Sequence, residues 1–478
     1  MGRLMKVLVP SLVLLCGCRA TQYRASLAEA SSKEAVPATS SCIDPTLVIK
    51  ASECIDQASK SPWQCFVDVA GDKAPCDQDQ DGLDDQFEAA LARSYVFAVA
   101  FNAQGAAENC WPGNVQQFVQ QSLLLYSPGG ISALGSAAKT GYAIVNESPQ
   151  LNGLDVEKVT VSGGERLANS PKQDQGPNFW LCQKKAYNPP KYGGPLGADE
   201  KLATSDKSIN LPGGVHAYMI VHPVNQGPLS KAQDHVQPPR YVLVATEMFY
   251  PYNQRPLDNH EGDWEGGGVF VDTQDPRGAV IGAYFDRHPT TDHLQLTMLG
   301  QDVEAIDPAS ESGGALQCGN AGKGVAGLRF WDFDGPRHHV VIYPAAGGHA
   351  TYGYPGVTKI LGIGCSETGP GANDTHHGDG LKLLPWLGIF AEHWGDHTGV
   401  AVRDGVELVN LGEESAPLVS WAAYRGQWGC QDGLEGKLAS SWPGPFGNHR
   451  HCRGWLRHDW HASPPFSAPS AAVDCVGL

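Results

Sequence analysis

From about residue 135 onward the chain is built of short apolar runs fenced by Gly, Pro, Asn and Asp, and this pattern restricts the fold more than any other feature. The runs are HAYMIVHPV (216–224), YVLVATEMFY (241–250), GGVFVDT (267–273), AVIGAYF (279–285) and HHVVIYP (338–344). Each is short and rich in β-branched and aromatic residues, which predicts strands, several of them buried on both faces. With 57 Gly and 34 Pro, the composition suits a loop-rich, strand-rich protein and disfavours a coiled coil or long helical bundle. The expected fold is mainly β: a β-sandwich-like core preceded by a short segment of helices and an acidic loop.

Helical spacing occurs twice before that core. Phe87, Ala90, Leu91, Ser94 and Tyr95 share one face, and Val115, Phe118, Val119, Leu123 and Tyr126 share another. The expected division is residues 1–17 (an apolar leader), 18–75 (a tether and Cys-containing segment), 76–135 (an acidic loop and two helices), 136–430 (the β-rich core) and 431–478 (a Gly/Pro/His-rich tail).

The N-terminus reads as an address. Arg3 and Lys6 precede an apolar stretch, Leu8 to Leu15, too short to span a hydrocarbon core of ~30 Å. Leu15-Cys16-Gly17-Cys18 resembles a bacterial lipobox, which makes Cys18 the candidate lipidated residue and lipid the link to a membrane. The expected location is the bacterial cell envelope or surface. Eleven further cysteines with no C-x-x-C pair favour disulfides in an oxidising compartment over a zinc ribbon. Eleven is odd, so one thiol is free or pairs outside the chain. A net charge of −17 gives no bulk attraction for nucleic acid or anionic lipid.

The segment CDQDQDGLDDQFE places Asp77, Asp79 and Asp81 at positions 1, 3 and 5 of a D-x-D-x-D-G-x5-E pattern, followed by Gly82, Leu83, Asp85 and Glu88 at 6, 7, 9 and 12. Alternate Asp residues can turn oxygens inward, Gly82 permits the sharp turn, Leu83 offers a carbonyl and Glu88 can bind through both oxygens. Five carboxylates this close repel one another without a cation. Lys73-Ala74-Pro75-Cys76 is not helical, so the expectation is an isolated Ca²⁺ loop with a structural role, and its bland alternative is a solvated acidic turn capping a helix. The loop resembles those of dockerin and thrombospondin-type repeats.

A second constellation lies in FYPYNQRPLDNHEGDWEGGGVFVD (249–272). Asp263 and Glu265 are two apart, so on a strand their carboxylates share a face while Trp264 points the other way. His260 stands just before, with Gly262 allowing an unusual turn. One imidazole and two carboxylates suit a second divalent cation of unspecified identity, Ca²⁺, Mg²⁺ or Mn²⁺ with some zinc character. The same groups could do general acid–base work if they lie within hydrogen-bond reach, or could be ordinary exposed strand residues.

FYPYN followed by HEGDWE resembles the vacuolar protein-sorting protein 62-like family. Further islands follow in order: Ala283-Tyr284-Phe285-Asp286-Arg287-His288, Gly347-Gly348-His349-Ala350-Thr351-Tyr352 with Pro355-Gly356, and Tyr424-Arg425-Gly426-Gln427-Trp428-Gly429. The segment DGLDDQFEAALARSY (81–95) is similar to the start of bacterial members. The resemblance spans about 80 to 430 and adds His288 and His349 to the candidate metal site. Asn259 to Glu265 also resembles the heptapeptide of necrosis- and ethylene-inducing-like proteins, cytolysins with a β-sandwich. His260, Asp263 and Glu265 fall on that family's metal positions, but Gly262 replaces its second His.

Three functions stay open. One is a metal-dependent binding protein for an extracellular glycan or lipid head group. Another is a metal-dependent hydrolase acting on an ester or phosphoester. The third is a cytolysin-like membrane-active protein. Whether the chain is an enzyme is undecided at this level. His376-His377-Gly378-Asp379, His393 with His397, and the His-rich stretch 447–461 read as surface histidines or compositional bias. No G-x-S-x-G, P-loop or G-x-G-x-x-G context is present.

Overall fold

The computed structural model describes residues 42–102, 112–120, 122–126, 143–146, 179–183, 215–224, 240–253, 260–278, 280–286, 294–298, 304–306, 318–319, 327–331, 339–359, 373–391, 406–413, 416–423, 427–429 and 442–443. Those from Ile43 onward belong to one unit. The expected signal peptide, Cys18, most of the tether and the 447–461 His-rich stretch lie outside the described residues.

Two helices open the described chain. Asp44 caps the helix Pro45–Asp56, its carboxylate accepting from the Thr46 and Leu47 amides, with Pro45 pre-set for the first turn. Ser61 caps Pro62–Ala70 in the same way through the Gln64 amide. A disulfide between Cys54 and Cys65 staples the two helices, and Cys42 and Cys76 are each disulfide-bonded. The 42–75 stretch, read from the sequence as a Cys-containing segment, is thus largely helical.

The third helix, Asp85–Tyr95, carries the apolar face expected of it: Phe87, Ala90, Leu91, Ser94 and Tyr95 are all fully buried. Asp84 caps it, and Asp85 and Glu88 in its first turn favour the positive helix end. The second helical pattern is shorter than expected. Helix Val115–Gln120 stops, and Ser122–Tyr126 is a strand paired with Ala143–Asn146 and Phe179–Gln183. Leu123 and Tyr126 therefore belong to a sheet. A short apolar run fits either period, and pairing with two partner strands decides it.

All five apolar runs are strand-bearing, and the described chain is strand-rich with mixed sheets. A six-stranded sheet runs in the order Val406–Asn410, Val215–Val224, Tyr241–Asn253, His260–Asp272, Val280–Asp286 and Leu294–Met298. The first pair is parallel and the rest antiparallel. Its central strands are buried on both faces, which explains their unbroken apolar character. One face turns Val242, Val244, Met248, Tyr250, Val269 and Val271 into the main core. There it meets the helix Asp85–Tyr95 and a five-stranded sheet built on Ala98–Ala100, Val341–Pro344, Thr351–Tyr352, Lys382–Leu384 and Ile389–Ala391. The rings of Phe97 and Phe285 stack across that boundary. The opposite face is aromatic: Tyr218, Phe249 and Trp264 pack against Phe118, Trp421 and Trp428.

Candidate functional site

The acidic loop folds inward. Gln80 and Gly82 take positive φ (60° and 95°), which curls the chain so that alternate Asp side chains converge. Asp81 closes the turn by accepting from the Leu83 amide at 2.6 Å. Asp79, Asp81 and Glu88 are all buried, with ligand oxygens within 4.8 Å of one another; Asp77, Asp79 and Asp85 form a second such group that shares Asp79. Asp85 accepts from the Gln78 side chain at 2.7 Å and from its amide. Leu83 buries its side chain in the core.

Glu88 is the most constrained member. It is fully buried, and its Oε2 accepts from the Asn410 side-chain amide at 2.9 Å. Its Oε1 is shielded from solvent and accepts no hydrogen bond. Burial pushes the Glu88 carboxyl well above the usual range, Asp81 and Asp79 push it further, and Asn410 opposes them. Burial likewise raises Asp85, against the pull of the Gln78 hydrogen bonds. Buried carboxylate oxygens this close, one of them without a hydrogen bond, fit a cation; hard oxygen donors fit a hard one.

The HEGDWE segment forms the start of strand His260–Asp272, whose register places Tyr250 opposite Asp263 and Met248 opposite Glu265. Asp263 and Glu265 are buried on the core face, while Trp264 turns into the aromatic face. Gly262 has φ +70°, and a Cβ there would lie 2.2 Å from the Trp428 carbonyl oxygen. Only glycine fits that crossing.

His349 reaches this face from the turn after strand Val341–Pro344. Its amide donates to the Ala345 carbonyl at 2.8 Å, and its φ of 54° is unusual for a residue with a side chain. Its ring stacks on Tyr250 with centroids 3.9 Å apart and planes 3° from parallel. Its Nδ1 lies 3.0 Å from Asp263 Oδ2, and both side chains are buried. Because a carboxylate accepts, Nδ1 carries the proton of this hydrogen bond. Thr351, two residues on, donates to the Gly266 carbonyl and ties the same turn to the same strand.

The structure thus brings Asp263 and His349 together and sets Glu265 one strand step away. Among the described residues, Asp263, Glu265 and His349 do not by themselves converge as three ligands; two convergent groups of carboxylates do lie in the acidic segment. The side chain of His260 and the whole of His288 lie outside the described residues, as do His393 and His397. His376, expected at the surface, is fully buried: its ring stacks on Tyr352 and its Nδ1 meets the Tyr354 carbonyl at 2.8 Å. Those two contacts supply an aromatic face and a polar partner, so burial costs the imidazole little. Sequence reasoning also missed Tyr250, Thr351 and Asn410. Tyr250 stands inside the FYPYN run, where strand alternation from Asp263 could have found it; Asn410 carries no local signal. A scan against protein-family models, a search of curated proteins and a search of solved structures each found no match.

Proposed function

We propose that this chain is an exported, lipid-anchored, Ca²⁺-binding protein of the bacterial envelope, and that its β-rich, sandwich-like domain binds an extracellular glycan or lipid head group. The observation that carries the cation reading is Glu88: a fully buried carboxylate with one oxygen accepting no hydrogen bond, grouped with Asp79 and Asp81. Asp77, Asp79, Asp81, Asp85, Glu88 and the Leu83 carbonyl would hold the ion, which supplies positive charge that lets the loop stay folded with its carboxylates ionised. Disulfide-bonded cysteines at positions 42, 54, 65 and 76 favour an oxidising compartment, in keeping with export. No helix among the described residues is long and apolar enough to cross a membrane, and Cys18 remains the proposed attachment point. The likeness to the vacuolar protein-sorting protein 62-like family supports reading Asp263, Glu265 and His349 as the centre of the ligand site, with His260 and His288 beside it.

One observation favours the hydrolase reading as a second candidate. With Nδ1 protonated toward Asp263, the other ring nitrogen of His349 is the basic one, suited to a cation or to a proton. In that arrangement Asp263 orients His349 rather than ligating directly.

Calcium calorimetry on the chain lacking residues 1–18 tests the cation reading. Wild type should bind, Glu88→Gln should lose the event, and Asp263→Ala should keep it. Uptake by Glu88→Gln equal to wild type would contradict it.

A further inference from the structure

The acidic loop is tied to a distant strand by one side chain. Asn410 ends the strand Val406–Asn410, at the margin of the six-stranded sheet, where it pairs with Met219. Its amide is held at both ends: Oδ1 accepts from the Gly412 amide at 3.0 Å, and Nδ2 donates to Glu88 Oε2 at 2.9 Å. The next residue continues the tether, the Leu411 amide donating to the Met219 carbonyl at 2.8 Å. Glu88 in turn has Oε2 engaged and Oε1 buried without a hydrogen bond, in the group with Asp79 and Asp81.

These facts interlock. A carboxylate can rotate about its last bond, and an oxygen kept for a ligand needs the other one fixed. Asn410 does this from outside the loop, as outer partners of ligating carboxylates do in metal sites generally.

We propose that Asn410 is the positioning residue of the cation site: it sets the Glu88 carboxylate so that Oε1 faces the ion, and it makes cation affinity depend on the sheet margin 322 residues away. The inference rests on the reading that the 77–88 loop holds Ca²⁺. In return, a bound ion that fixes Glu88 also fixes Asn410, so the strand Val406–Asn410 gains protection when the loop is filled.

The test uses the chain lacking residues 1–18, with calcium as titrant and terbium as luminescent probe. Asn410→Ala removes the donor; Asn410→Leu removes it while keeping side-chain volume in case the smaller residue loosens the strand. Both variants should bind calcium about 10-fold more weakly than wild type. Terbium lifetimes in light and heavy water should report about one more coordinated water, as expected if Glu88 Oε1 swings off the ion and water takes its place. A merely structural role for Asn410 would leave that water count unchanged. If wild type binds and both variants match it in affinity and water count, the positioning role is overturned and the loop reading stands. If wild type takes up no calcium, the loop reading falls and this role falls with it.

Discussion

His349 and Asp263 lie 86 residues apart in sequence and form a hydrogen bond of 3.0 Å between side chains that are both buried. Tyr250 makes the meeting possible. It stands opposite Asp263 in the hairpin and offers its ring as the surface on which the imidazole stacks. Removing one member of a buried pair takes a hydrogen bond from the other. Asp263→Ala should therefore cost about 1–3 kcal/mol of stability, read from the urea midpoint. His349→Ala should cost a similar amount, and the double variant should lose less than the sum of the two, with a coupling of about 1 kcal/mol or more. Additive losses would mean the two groups do not act as a unit.

Gly262 and Gly71 both have positive φ, but their surroundings differ. A Cβ at Gly262 would meet the Trp428 backbone at 2.2 Å, whereas one at Gly71 meets nothing within 4 Å. Gly71 sits at φ 58° and ψ −131°, so Gly71→Ala should cost only the backbone strain, about 1–3 kcal/mol. Gly262→Ala adds an overlap that backbone atoms cannot relieve and should cost about 3 kcal/mol or more. Equal losses in a denaturant series would show that the strand does not cross Trp428 this closely.

The disulfide between Cys54 and Cys65 closes a loop with a sequence separation of 11. Loop-closure entropy assigns such a link about 3 kcal/mol. Cys54→Ala/Cys65→Ala should lower stability by that order and leave calcium uptake in place, because neither cysteine is among the residues grouped in the acidic loop. Loss of calcium binding in this variant would show that the stapled helices shape the loop.

The raised Glu88 carboxyl gives the metal-free protein a defined pH dependence. Between the ordinary glutamate value and the raised one, the native state holds a proton that the unfolded chain has released. Stability then falls as pH rises through that window. Asp85 has the same sign. If calcium fills the site, as proposed, the trend should reverse, because the ion needs ionised ligands and its binding releases protons. In chelator, Glu88→Gln should be more stable than wild type at about pH 7.5 by roughly 1–3 kcal/mol, and the gap should shrink toward about pH 5. A gap that does not change with pH would place the Glu88 carboxyl at an ordinary value.

How much of this was legible in the sequence follows from the range of each interaction. The five apolar runs announced strands because β-branched and aromatic residues fill a pleated, half-buried surface, and each run lies in a strand or bears one. Period-two alternation placed Asp263 and Glu265 on one face and Trp264 on the other. The curl at Gly82 followed from the loop pattern. What stayed hidden were the meetings of distant segments. The Asp263–His349 bond needs strand Val341–Pro344 to deliver a turn to the far sheet, and Glu88–Asn410 needs a helix to dock on a strand 322 residues later. Residues 115–126 misled because six residues of helix run almost directly into five of strand, and the joined apolar positions mimic one helical face. His376 misled because its partners, Tyr352 and the Tyr354 carbonyl, lie on a neighbouring strand and turn.

The proposed cation site in the buried acidic loop turns on Glu88. The most direct measurement is calcium calorimetry on the chain lacking residues 1–18, comparing wild type with Glu88→Gln. Wild type should show one binding event with proton release, and Glu88→Gln should lose it while still folded by circular dichroism. A folded Glu88→Gln protein that binds calcium as tightly as wild type would contradict it.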